Sequence, residues 1–374
     1  MANIAQTGGT GESSAREYQR KYWVGFGLTP YIGPTRLQKL IERFGDVEQA
    51  WQASDRELQG VLDERSVASL IKTRSRLSLD EEMEGYGKKG IGVVTIAEAG
   101  YPRLLAQIPS PPPVLFVRGT FLPEDNLAIA IVGTRRSTSY GREVTSRMAS
   151  GLAEAGVTVV SGLARGIDAA AHSATLAAGG RTIAVLGSGV DIIYPSEHHQ
   201  LAERIIENGA LISDYPPGRK PDAPNFPARN RIISGLSLGV VVVEAPNRSG
   251  ALITVDFAAD QGREVFIVPG SVLSDNSAGC HRMLRDGARL VTCADDVLDD
   301  LRIGQRREQA AVQQALPLTD AERRLLNHIN ADPQHIDEII AAGNLPVAEG
   351  LALISMLELK GIVRDAGARH FVRA

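Results

Sequence analysis

Between Leu127 and Val268 two kinds of pattern alternate along the chain. Strand-like apolar runs stand at Leu127–Val132, Val157–Val160, Thr182–Leu186, Ala210–Ile212, Gly239–Val243 and Val265–Val268. Ala-rich helical stretches such as EVTSRMASGLAEAG (Glu143–Gly156) and GIDAAAHSATLAAG (Gly166–Gly179) separate them. Short apolar runs without polar alternation are buried on both faces, and their interleaving with helices predicts a parallel sheet covered on both sides. The expected core is therefore α/β, an extended Rossmann-like parallel sheet. Such sheets take ligands beyond the carboxyl ends of their strands, where the strand order reverses.

The flanks follow another period. From Tyr22 to about Gly90 the pattern is helical. Leu37, Leu40, Ile41 and Phe44 fall at i, i+3, i+4 and i+7, and Gly45 is a helix stop. DRELQGVLDERSVASLIKT (Asp55–Thr73) predicts two more short helices. A proline-punctuated segment, YPRLLAQIPSPPPVLFVRGT (Tyr101–Thr120), ends in a strand over Val114–Val117. Beyond Leu301 a polar run reads as a linker. LTDAERRLLNHIN then predicts an amphipathic helix capped by Thr319 or Asp320, followed by two helices around Gly343 and Asn344 and a hairpin turning at Asp365-Ala-Gly367. Three helices and a hairpin make a winged helix. The expected division is a disordered tail over 1–20, an all-helical domain over 21–100, the sheet domain over 101–300, a linker over 301–317 and the winged helix over 318–374.

Bulk properties narrow the function. Formal net charge is −4 and the pI is near 6.0, so any polyanion site must be a local gathering of arginines. Cys280 and Cys293 are the only cysteines and have no metal-ligand spacing, which argues against structural zinc and suits a reducing compartment. No metal or cofactor is expected. With no signal-like or bilayer-spanning run, the expectation is a cytoplasmic protein with no membrane partner.

The loops that follow the strands carry the chemistry. After Leu127–Val132 comes Gly133-Thr134-Arg135-Arg136, then Ser139 near the start of a helix. A dinucleotide fingerprint would place its second glycine at position 135, but arginine stands there. Exposed amides and the Thr134 hydroxyl at a helix start suit an anion, and the Arg135 fork can hold two phosphate oxygens. VVSGLARGIDAAAH adds Gly162, Gly166 and Arg165, with His172 read as structural. In IAVLGSGVDIIYP the lone GxG is poor evidence for NAD, and Tyr194-Pro195 reads as a loop brace. NFPARNRIISG, read as a loop, sets Phe226 beside Arg229, Asn230 and Arg231, a combination that stacks an unpaired base and grips its backbone. Ser249-Gly250 before ALIT is another helix-start anion site. Glu244 ends a strand without a second catalytic group at a recognisable spacing.

Seven ordered motifs, YPRLLAQIPSPPPVLFVRG, IAIVGTRRSTSYG, VSGLARGIDAAAH, IAVLGSGVDIIYP, FPARNRIISG, VVVEAPNRSGALIT and VFIVPG, resemble the DNA-processing protein A family (DprA, also called Smf). The resemblance covers Tyr101 to Leu290. It implies a non-catalytic single-stranded DNA binder that protects incoming strands and loads RecA recombinase in natural transformation. It assigns Gly133, Thr134 and Arg135 to the phosphate grip, and Gly162, Phe226, Arg229, Asn230 and Arg231 to the strand's path. It also implies a homodimer through the far edge of the sheet domain, here the region of His281, Leu284 and Leu290, with RecA docking nearby. Two departures stand out. Tyr31 occupies the place of the first glycine of a helix-hairpin-helix, so a sterile-alpha-motif-like fold is expected there. The candidate recognition helix, Pro346–Lys360, has Glu349 and Glu358 against only Lys360, a poor match to a polyanionic groove. The alternative reading is a nucleotide-processing enzyme, resembling a nucleoside phosphate hydrolase, that uses Glu244 on the same sheet.

Overall fold

Nine strands form one sheet in the order β1-β2-β6-β5-β4-β3-β7-β8-β9. The computed structural model describes residues 10–304, 319–329, 334–360, 362–367 and 369–373. Strands β3 (Ala128–Val132), β4 (Thr158–Ser161), β5 (Thr182–Val185), β6 (Gly209–Ser213), β7 (Gly239–Val242), β8 (Glu264–Ile267) and β9 (Arg289–Leu290) run parallel. Two antiparallel strands, β1 (Gly92–Thr95) and β2 (Val114–Gly119), extend the sheet beyond β6. The strand order reverses between β3 and β7, which are hydrogen-bonded neighbours. That crevice is where a doubly wound sheet receives its ligand.

Both faces of the parallel strands are covered, which explains why apolar residues dominate them and why the buried hydroxyls of Ser161, Thr182 and Ser213 donate to neighbouring backbone carbonyls. On one face Ile183, Val185, Ile212 and Val240 meet Leu105, Ile232 and Val255 of α7 (Arg103–Ala106), α11 (Asn225–Gly235) and α12 (Gly250–Asp260). On the other, Ala184, Leu186 and Leu211 meet Ala202 and Ile205 of α10 (His199–Glu207). Helices α8 (Ser139–Glu154) and α9 (Ile167–Ala177) pack together, with Met148, Leu152 and Ala171 buried.

The N-terminal helices are α1 (Thr10–Gly27), α2 (Pro34–Phe44), α3 (Val47–Gln52), α4 (Asp55–Gln59), α5 (Glu64–Arg76) and α6 (Leu79–Lys88). Leu37 and Leu40 of α2 are buried, and Gly45 ends that helix in the left-handed region (φ 94°), donating its N–H to Ile41. Two expected boundaries shift. Helix α1 begins at Thr10, inside the span read as a tail, because Tyr22, Trp23, Val24 and Phe26 anchor it in the helical core; residues 1–9 lie outside the described ones. The sheet starts at Gly92 rather than after residue 100, since Val93, Val114 and Phe116 also close that core.

After α13 (Ala278–Arg285) and α14 (Ala294–Asp300), the linker expected over 301–317 lies outside the described residues from 305 onward. The C-terminal module has α15 (Asp320–Leu326), β10 (Gln334–His335), α16 (Ile336–Ala342), α17 (Val347–Leu359), β11 (Val363–Gly367) and β12 (His370–Arg373), with sheet order β10-β12-β11. Thr319 caps α15, closing a capping box with Glu322. Strand β11 runs through Gly367, so the chain reverses after the Asp365-Ala-Gly367 turn expected from sequence, with Arg369 at φ 63°. No single helix among the described residues is long and apolar enough to cross a membrane.

Candidate functional site

A cleft of about 390 Å³ opens at the β3/β7 switch point. Its walls include Gly133, Thr134, Arg135 and Arg136 after β3, Asp168 on α9, Phe226, Arg229 and Asn230 on α11, and Arg248, Ser249 and Gly250 leading into α12. The turn after β3 is locked to its neighbours. Thr134 donates its N–H to Glu244 O at 2.7 Å, and its hydroxyl accepts the Arg136 N–H at 3.2 Å. Gly166 (φ 80°) lies where a Cβ would come within 2.3 Å of Thr134 O, so only glycine lets the loop after β4 close on the loop after β3.

The charges within the cleft are uneven. Arg135 and Arg136 are exposed, and the Arg135 guanidinium stands 5.4 Å from the Phe226 ring centroid. Tyr194 also packs on Phe226, tilted at a centroid distance of 5.3 Å. Arg229 is buried, at 4% exposure, and its guanidinium fills the space that a Cβ on Gly162 would need, with Nη2 2.2 Å from that position. Its Nε donates to Asn230 Oδ1 at 3.2 Å, while Nη1 has no hydrogen-bond partner. Burial pushes the Arg229 guanidinium down to about 10; Asp168 opposes that fall and the like charge of Arg135 adds to it. The group remains a cation at neutral pH. Asp168 is buried too and accepts the N–H groups of Gly162 (3.2 Å) and Ala164 (3.4 Å); burial raises its carboxyl, against Arg229 and those amides. The cleft therefore presents three further arginines around the buried Arg229 and the buried carboxyl of Asp168, an arrangement that attracts an anion.

The remaining sequence-derived candidates divide. Ser249 caps α12, accepting the Ala251 N–H at 3.3 Å, and Gly250 leaves open space beside the helix start. Arg165 reaches the rim, where it borders a small cavity with Arg135 and Phe226, but its guanidinium forks onto Glu197 at 2.5 and 2.8 Å. Ser139 is exposed in the first turn of α8 and accepts from Arg142; the cap of that helix is Thr138. Arg231 is not brought to the cleft. It bonds to Ser110 O and to Asp214 Oδ2 (2.6 Å), tying α11 to the proline-rich segment. The segment expected as a loop is itself helix α11, so residues two apart in Phe226–Arg231 point to different sides.

Glu244 and His172 have structural partners. The Glu244 carboxylate accepts from Thr138 N (2.9 Å) and Thr138 Oγ1 (2.5 Å), steadying the start of α8, and it borders a neighbouring cavity rather than the cleft. His172 is fully buried; its Nδ1–H donates to Thr182 Oγ1 at 2.7 Å, because that hydroxyl gives its own proton to Val159 O. Burial holds the imidazole neutral, pushed down to about 3. At the far edge, Leu284 packs partly buried on the core, His281 Nε2 meets Gly270 O at 3.1 Å, and Leu290 is 55% exposed on edge strand β9. Sequence reasoning passed over Arg248, one residue before the Ser249-Gly250 pair, and Asp168, whose place in the first turn after Gly166 was the available signal.

A family model described as DNA recombination-mediator protein A matches residues 92–302, which hold the whole sheet and cleft. The chain belongs to that family. The winged-helix domain of the same family matches residues 309–368. Protein Smf of Synechocystis is 35% identical over 391 residues, covering 94% of this chain and 98% of its own. The Bacillus subtilis DNA processing protein DprA is 42% identical over 224 residues, 60% of this chain and 75% of that one. Among solved structures, Streptococcus pneumoniae DprA superposes with a TM-score of 0.67 at 35% identity, covering 75% of this chain and 97% of that one. Helicobacter pylori DNA processing protein A, whose structure is described for a single-stranded DNA binding mode, gives 0.52 at 28% identity, covering 57% and 96%. As a DprA family member the chain has the recombination-mediator core, and its recognition helix α17 departs from a DNA reader in one more respect. Lys360, the cation that caps its C-terminus, is buried against Glu322 at 2.6 Å, so Glu349 and Glu358 are the charges that α17 exposes.

Proposed function

We propose that this DprA family member binds single-stranded DNA in the switch-point cleft, without catalysis. The observation that carries the reading is the buried Arg229 guanidinium, with Nη1 unpartnered and the exposed Arg135 close enough to repel it. A phosphate between the two would relieve that repulsion. The Gly133–Arg136 turn, Ser249 and Gly250 supply amides and a hydroxyl for adjacent phosphates, and Arg136 and Arg248 supply charge. Phe226, already flanked by a guanidinium and a second aromatic ring, serves as a sequence-tolerant stacking platform. Arg165 joins the grip when a phosphate displaces Glu197, and Ser139 extends it along α8. Arg231 acts at one remove by fixing α11. The Helicobacter pylori relative's single-stranded DNA binding mode supports the reading.

Around that site we place the family's wider role: protecting incoming strands in the cytoplasm and loading RecA recombinase during natural transformation, as a homodimer. The exposed edge strand β9, with Leu290 outward and His281 and Leu284 behind it, is the proposed self-association surface, since unpaired strand edges invite pairing. A nucleotide-processing enzyme is the less favoured reading, because Glu244 is bonded to Thr138 and does not share the cleft with Arg135 and Ser249. Titrating mononucleotides against an oligonucleotide of about 20 bases separates the two. The binder prefers the oligonucleotide strongly and its affinity falls with salt; comparable affinities, or free phosphate or base appearing as product, would overturn it.

A further inference from the structure

A second groove, of about 660 Å³, lies on the helical module between the end of α1 and α5. Its charged wall is a stripe on one face of α5: Arg65, Lys72 and Arg76, at i, i+7 and i+11, all exposed. Among the described residues neither Lys72 nor Arg76 is in an ion pair. One acid, Glu82, also lines the groove. In a chain of net charge −4 such a stripe is a local departure.

Tyr31 closes the groove. It is 49% exposed, with Arg65 lying 3.8 Å over its ring and donating to its hydroxyl at 2.5 Å. Its backbone is left-handed, φ 70°, a conformation that is unfavourable for a bulky residue. A large ring therefore stands in a glycine-like position with a guanidinium stacked on it. Cations along a groove beside an exposed ring are the features with which proteins track a single strand.

We propose that this groove is a second contact for single-stranded nucleic acid, in which Lys72 and Arg76 neutralise phosphates and the Tyr31–Arg65 stack receives a base. It rests on the single-strand reading of the cleft and lengthens that footprint. The two are structurally joined: Val190 belongs to the helical core, Lys89 pairs with Asp191 at 3.6 Å, and Tyr194 of the same loop packs on Phe226.

The test uses the full chain, fluorescence anisotropy and oligothymidylates of about 10 and about 40 nucleotides. Lys72→Ala with Arg76→Ala should leave the short strand's affinity unchanged, weaken the long strand at least about fivefold, and flatten its salt dependence by about 1.4 in log–log slope, two phosphates at about 0.7 each. Tyr31→Gly keeps the backbone geometry and removes the ring; it should weaken the long strand while leaving the thermal melt at or above the parent's. Unchanged affinity and slope for the long strand in both variants overturn the proposal. Failure of the cleft reading looks different: Arg135→Ala then leaves both strand lengths bound as before, whatever the α5 variants do.

Discussion

Replacing Lys360 by methionine is expected to unfold the C-terminal module while the sheet domain stays folded. Lys360 and Glu322 are 3% and 2% exposed, and the ammonium meets both carboxylate oxygens, at 2.7 and 2.6 Å. Glu322 also accepts the Thr319 N–H at 2.6 Å, so one carboxylate holds together the start of α15 and the end of α17. Removing the lysine strands a buried anion, which costs about 3–5 kcal/mol. A module this small has little more than that in reserve. Burial alone would raise the Glu322 carboxyl, but Lys360 and Thr319 outweigh it and hold it below the usual range. A carboxyl depressed in the folded state contributes stability above its unfolded pKa of about 4.3, and that contribution is lost as pH falls through the folded value. Without Lys360 the sign inverts, and the variant's module should gain stability on acidification. Thermal melts with limited proteolysis at several pH values would show it. Pairing Lys360→Met with Glu322→Leu should restore the module, since an apolar pair carries no desolvation cost. A single variant that melts like the parent would mean the pair is unimportant.

Arg135→Ala is expected to weaken oligonucleotide binding about 10- to 100-fold, the scale of a charge-assisted hydrogen bond worth about 1.5–3 kcal/mol. Arg135 is exposed, so its loss opens no cavity, and the turn around it is held by Thr134 and Glu244 rather than by its side chain. Its removal also takes away the cation beside Phe226 and one phosphate partner of the cleft. The melting temperature should hold, and the salt dependence should flatten by about 0.7 in slope. A large fall in melting temperature would show instead that the guanidinium supports the fold.

The sheet was largely legible before the structure because its evidence is local. Strands β3 to β8 each fall within a residue or two of an apolar run, the composition expected of strands buried on both faces. The turn at Gly133–Arg136 was legible for the same reason: a glycine between a strand and a helix announces itself. What escaped depends on partners distant in sequence. Arg231 and Arg229 look alike in NFPARNR, yet one pairs with Asp214 and the other lies buried by Gly162. Lys360 reads as a surface charge until Glu322, 38 residues away, folds against it. The segment of helix α11 reads as a loop because Pro224 and Pro227 mask its start, although proline is tolerated in a first turn. Strands β1 and β9 are too short or too exposed to stand out from their flanks.

Single-strand binding in the cleft, as proposed, puts a base on Phe226 near Arg135 and the loop bearing Tyr194. Photocrosslinking the intact protein to an iodouracil-substituted single strand, with the adduct mapped by peptide sequencing, reads that position out. The adduct is expected at Phe226 or Tyr194, competed away by unlabelled single strand and reduced in Arg135→Ala. An adduct confined to other faces of the protein, with the Asn225–Arg231 segment unmodified, would contradict it.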